Sequence, residues 1–149
     1  LIDPEVVDAV VEGFDGGEYD YFSNTNPPTF PDGLDTEVFT YLALKKAYAS
    51  AKLLSEREHV TLFIRNHPEL FSIGNYRSSI NYEQFRWTID NQEDYQFVTT
   101  IYKKLHEKNT YIRWRDVIQF LEKNKDVIAI NQHIARNEGL LKSLKEDKK

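Results

Sequence analysis

Cysteine is absent from the 149 residues, so disulfides and thiolate metal sites are excluded, which suits a reducing, cytoplasmic setting. No apolar run approaches the roughly 18 residues that a membrane-spanning helix needs, the start lacks a signal-peptide pattern, and no membrane partner is expected. With 24 acidic against 19 basic side chains the net charge is −5. No basic stripe offers itself to a phosphate backbone, which argues against a nucleic-acid partner. The 6 glycines match neither a phosphate-binding loop nor a dinucleotide fingerprint, and the 4 histidines lack zinc-ligand spacing. No Ser-His-Asp or Cys-His arrangement can be drawn, so no catalytic nucleophile is predicted. Internal repeats, heptads and low-complexity tracts are missing as well. Methionine is the last absence. The chain opens on Leu1-Ile2-Asp3-Pro4-Glu5 and reads as a piece of a longer protein, entered in a loop just before a helix.

What is present is ordinary globular material, 40% hydrophobic and 29% charged, long enough for one domain with a real core. Asp3, Pro4 and Glu5 supply an N-cap, a first-turn proline and an acidic first turn. Val6, Val7, Val10, Val11 and Phe14 then give the apolar face of a helix that Gly13, Gly16 and Gly17 stop. Short strands are predicted over 19–23 and 34–39, around a loop stiffened by Pro27, Pro28 and Pro31. A helix follows from Thr40, its inner face marked by Leu44, Ala47, Tyr48 and Ala51. Ser55 is read as a second N-cap, with Glu58 completing a capping box and Asn66-His67-Pro68 ending the helix. Strands are predicted at 73–77 and 85–89, as antiparallel neighbours. Helices follow at 92–105, 114–123 and 127–144, and 145–149 form a disordered tail. The class is α/β with a helical C-terminal third.

Two stretches carry chemistry. Asp90 closes the predicted strand at 85–89, and two readings stand open for it. It caps the helix beginning near Gln92, or it is a ligand for a hard divalent cation such as Mg²⁺. The other stretch is Arg57-Glu58-His59, either a solvated helix start or a grip for a carboxylate or phosphate. Between 24 and 37, Asn24, Asn26, Asp32, Asp35 and Glu37 surround the proline loop. They form a plain turn connection, or a polar rim that meets sugar hydroxyls with little ordering cost. Trp87 and Trp114 read as core and rim. The residues alone stop at a metal-dependent, polyol-binding site.

Several blocks occur together in the order of a known family. They are Leu1 to Val7, Ser23-Asn24-Thr25, Pro31 to Phe39, Ser55-Glu56-Arg57-Glu58-His59-Val60-Thr61, Ile64 to Pro68, Arg86-Trp87-Thr88-Ile89-Asp90, and Asn131 to Gly139. The chain resembles the spore-coat-polysaccharide cytidylyltransferases, relatives of the enzymes that make CMP-sialic acid and CMP-KDO. The resemblance covers almost the whole chain. It implies a partial nucleotide-diphospho-sugar transferase-like (Rossmann-like) mixed sheet. Residues 1–144 would be the sugar-binding and metal-site part, with the N-terminal nucleotide-binding half absent.

The same resemblance implies transfer of CMP from CTP to an acidic or amino sugar for surface polysaccharide, with release of pyrophosphate. Asp90 matches the family's second metal aspartate, which brings Mg²⁺ as the cofactor. His59 sits where those relatives place a sugar-contacting histidine. Asn24, Asp32, Asp35, Arg57 and Glu58 carry over as substrate-binding by motif alone. The usual Asp-Thr-Pro-Glu-Asp is here Asp90-Asn91-Gln92-Glu93-Asp94, which keeps the carboxylate. The piece by itself is expected to be inactive, and to expose an edge and an apolar face, which allows a homodimer. The rival readings are the same fold with another nucleotide or acceptor, a non-catalytic protein-interaction module, and a degenerate gene fragment.

Overall fold

A computed structural model describes residues 1–107 and 111–148. Helix α1 spans Pro4–Asp15, and the buried Asp3 caps it, one carboxylate oxygen accepting from Glu5 N–H at 3.0 Å. The other oxygen accepts from Trp114 N–H at 2.8 Å, so one capping side chain ties the starts of two helices far apart in sequence. Strands β1 (Tyr21–Ser23), β2 (Glu37–Phe39) and β3 (Ile73–Asn75) form a sheet in the order β2-β1-β3. β1 is antiparallel to β2 and parallel to β3, so the sheet is mixed as expected, with strands shorter than predicted.

Helices α2 (Tyr41–Ser50), α3 (Leu54–Glu58) and α4 (Leu62–Asn66) follow β2, and α5 (Gln92–His106), α6 (Trp114–Lys123), α7 (Lys125–Ile128) and α8 (Glu138–Glu146) complete the chain. Two cores result. Val6, Leu34, Trp87, Phe97, Ile101, Trp114 and Leu121 pack among α1, α5, α6 and the proline loop. Tyr21, Ala43, Ala47, Phe63, Ile64 and Phe71 pack beneath the sheet. The Pro31-Asp32-Gly33 turn is where it was predicted. Gly33 has φ +105°, and a Cβ there would come within 2.8 Å of the Trp87 backbone, so only glycine lets the loop lie against 85–89.

Five predicted features differ. Residues 85–89 do not form a strand. They run extended beside the loop through one parallel bridge, Asp32 with Arg86, while Trp87 turns into the helical core. Burial of that one ring, rather than a hydrogen-bonded ladder, is what the apolar residues there serve. Ser55 is not the N-cap of its helix and Glu58 does not complete a capping box. Leu53 occupies the cap position, and Glu56 folds back to accept from Lys52 and Leu53 N–H at 3.1 and 3.3 Å. The predicted helix from there to Asn66 is two helices, broken at His59–Thr61. The helix predicted over 127–144 is also two, separated by a loop ending at Asn137 in the left-handed region (φ 57°). Finally, the predicted tail is helical to Glu146, and Asp147 accepts from Ser55 N–H at 3.0 Å. Lys149, the last residue of that expected tail, lies outside the described residues.

Candidate functional site

The break between α3 and α4 sets His59 into a cleft bounded by the proline loop, residues 86–91 and the start of α8. The cleft has two hollows, of about 550 and about 500 Å³, which share His59, Arg65 and Asn137. Asp35 and Glu58 line the first with His59, and Asp32 and Asp90 line the second. Five of the predicted site residues are thereby brought together.

Two are not. Asn24 is fully buried, its Nδ2 donating to the Leu34 carbonyl at 2.8 Å and its Oδ1 accepting from Thr36 N–H at 2.9 Å. It braces the loop from inside and presents no surface to a substrate. Arg57 points out of the cleft, its guanidinium 4.9 Å from the centre of the Tyr48 ring, so it does not pair with His59 around an anion. Arg57 lies within α3, whereas His59 follows the helix in extended conformation (φ −100°, ψ 95°).

Asp90 does not cap α5. Asn91 holds that position, and Asp94, three residues on, accepts from Asp90 and Asn91 N–H at 3.1 Å each. Arg86 organises the wall. Its Nε and Nη2 grip the two oxygens of Asp94 at 3.0 and 2.9 Å, and Nη2 also reaches Asp90 Oδ2 at 2.7 Å. Nη1 donates to Asp32 at 3.3 Å and to the Ala135 carbonyl at 3.4 Å. All the donors of a guanidinium are then used. Asn131 Nδ2 closes the knot on Asp94 at 2.9 Å and on the Arg86 carbonyl at 3.0 Å.

The electrostatics follow. Burial works against ionised Asp94, but hydrogen bonds from Arg86, Asn131 and the two backbone N–H groups overcome it and hold the carboxyl well below the usual range. Burial prevails over the opposing pull of Arg136 and Arg86 at Asp32, and over that of Arg136 at Asp35, and both are raised. Arg136 meets Asp35 at 2.5 Å. On the far wall Glu37 accepts from Thr61 Oγ1 at 3.0 Å and from the Tyr21 hydroxyl. Burial, then the Glu37 charge, pushes Tyr21 up to about 12.

Sequence reasoning missed Arg65, Asp94, Arg136 and Ser143, and gave Arg86 and Asn131 no role of their own. Asn91-x-x-Asp94 was the available signal for one of them, a capping box in plain view. Arg86 and Asn131 stood inside quoted motifs but touch across 45 residues, which no spacing argument reaches.

Asp90 is the exposed carboxylate of the wall, its side chain 67% exposed with one oxygen on Arg86. No three His, Cys, Asp or Glu side chains converge on a metal site among the described residues. Mg²⁺ is commonly held by one or two carboxylates, with water and phosphate oxygens filling the shell. Asp90 therefore fits as a single donor, and the described residues do not complete the shell by themselves.

Comparison with known proteins bears on the family. The chain is 36% identical over 133 residues to the uncharacterized protein MJ1063 of Methanocaldococcus jannaschii, covering 87% of this chain and 52% of that one. It is 32% identical over 131 residues to the spore coat polysaccharide biosynthesis protein SpsF of Bacillus subtilis, covering 85% and 52%. A solved cytidylyltransferase from Leptospira borgpetersenii superposes with a TM-score of 0.79 at 26% identity, over 92% of this chain and 55% of that one. The chain thus spans about half the length of the curated relatives it matches. A family model described as cytidylyltransferase matches residues 1–138. A mixed sheet with many helices that superposes on a solved member, and a match over nearly the whole length, place the chain in the cytidylyltransferase family.

Proposed function

We propose that this chain serves the transfer of CMP from CTP to an acidic or amino sugar, with release of pyrophosphate, in the making of a surface polysaccharide. The observation that carries this reading is the single cleft in which His59 stands between the Asp35–Glu58 wall and the Asp32–Asp90 wall. Carboxylates on a rim accept hydrogen bonds from sugar hydroxyls. Family membership supplies the nucleotide chemistry, and the printed name of the Bacillus relative supports the polysaccharide role.

Asp90 is proposed as one donor to Mg²⁺, whose charge offsets that on the phosphate oxygens. Arg86 orients that carboxylate, and Asp94 and Asn131 hold Arg86 in place. His59, Glu58 and Asp35 face the sugar. Nucleotidyl transfer needs positioning and charge compensation more than a protein nucleophile.

Pyrophosphate release, followed with CTP and a panel of acidic, amino and neutral sugars, tests the reading. Release is expected when the chain is joined to the leading half of the Bacillus relative, and not from these 149 residues alone. Release that is equal with or without sugar, or equal with all four nucleoside triphosphates, would sink the proposed reaction.

A further inference from the structure

Ser143 stands on α8, 3% exposed, with its hydroxyl between Glu58 and His59. A hydroxyl has one proton to give. Glu58 Oε2, at 2.5 Å, is the charged acceptor and takes it, and the Gly139 carbonyl at 3.2 Å is the weaker competitor. Toward His59 the serine oxygen can then only accept. Nε2, 3.1 Å away, must carry the hydrogen. The neutral ring is left with its lone pair on Nδ1, on a ring that lines both hollows. His67 shows the converse arrangement, with Nδ1 at 2.8 Å from the Phe63 carbonyl and therefore protonated there.

We propose that Glu58 and Ser143 form a relay that fixes His59 as its Nε2–H tautomer and makes Nδ1 the proton acceptor for the attacking sugar hydroxyl. The inference rests on the transfer reading above. The sugar oxygen bonds to the α-phosphorus of CTP, and the bond from that phosphorus to the bridging oxygen breaks, its electron pair leaving with pyrophosphate. The hydroxyl proton passes to Nδ1. In this step His59 takes the proton, whereas Glu58 and Ser143 act through it as positioning residues.

Nitrogen-15 spectra of the imidazole groups of the full chain at about pH 8 test the relay without nucleotide or sugar. A His59→Gln variant assigns the signal. A slowly exchanging Nε2–H signal from His59 is expected, lost in Ser143→Ala and in Glu58→Leu. Should one of these variants unfold by circular dichroism, the other decides. An Nδ1–H signal, or an Nε2–H signal unchanged in both variants, overturns the proposal. In the form that turns over, Ser143→Ala should lower kcat about tenfold with the KM for CTP unchanged; an unaltered kcat overturns the proton's destination. Absence of pyrophosphate release from the unsubstituted joined form would remove the transfer reading and leave the tautomer to the spectra.

Discussion

Asp94 and Asp90 sit four residues apart, share the guanidinium of Arg86, and have opposite jobs. Asp94 is fully buried and balances a buried cation, so Asp94→Ala should cost about 3 kcal/mol in urea unfolding. Its carboxyl lies below the ordinary range in the folded state. The stability it contributes is therefore present above the unfolded value and lost as pH falls through that value toward the folded one. The gap between wild type and Asp94→Asn is expected to shrink steadily below about pH 4 in the same assay. A gap that widens with acidity would contradict the ion-pair account. Asp90 is largely exposed, so Asp90→Asn should leave the melting temperature within about 2 °C while lowering turnover about a hundredfold or more. Unchanged pyrophosphate release would take Asp90 out of the site.

At the scale of elements, the start of α3 separates two capping schemes that sequence alone could not. Glu56 accepts from two backbone N–H groups, and Ser55 Oγ has no hydrogen-bond partner. Glu56→Ala should destabilise by about 1 kcal/mol, and Ser55→Ala by less than about 0.5, by chemical denaturation. The reverse ranking would restore Ser55 as the cap. The placement of α3 matters to the cleft because α3 packs on α8, and that contact is what brings Glu58 and His59 to Ser143. Residues 85–89 make the same point differently. Their apolar pattern was legible, but whether it answers to a strand partner or to a core depends on Trp87 meeting α5 and α6.

For the whole molecule, the outward face of α2 matters most. Tyr41, Leu42 and Tyr48 are 74, 73 and 73% exposed, and Leu54 and Val60 lie nearby in sequence, also exposed. Large apolar side chains exposed to this degree favour association. Sedimentation is expected to show a concentration-dependent dimer that Leu42→Lys with Tyr48→Lys weakens at least tenfold. A monomer at all concentrations would contradict this. No helix among the described residues is long and apolar enough to cross a membrane.

Much of the local structure was settled by the chain itself. Asp3-Pro4-Glu5 starts a helix, Pro31-Asp32-Gly33 turns, and the periodicity of 92–105 and 114–123 makes helices with buried inner faces, because capping, φ restriction and amphipathic spacing act between near neighbours. The ordered motif blocks pointed to the family for the same reason that they could be read at all, being short and contiguous. Tertiary structure alone decided which charges are used up and which remain available. Arg86, Asp94 and Asn131 spend polar groups on one another across 8, 37 and 45 residues, Asn24 is enclosed, and Arg57 is turned away. Ser143 reaches His59 only because α8 folds back over α3. Burial and pairing depend on distances in space, and these separations in sequence carry no trace of them.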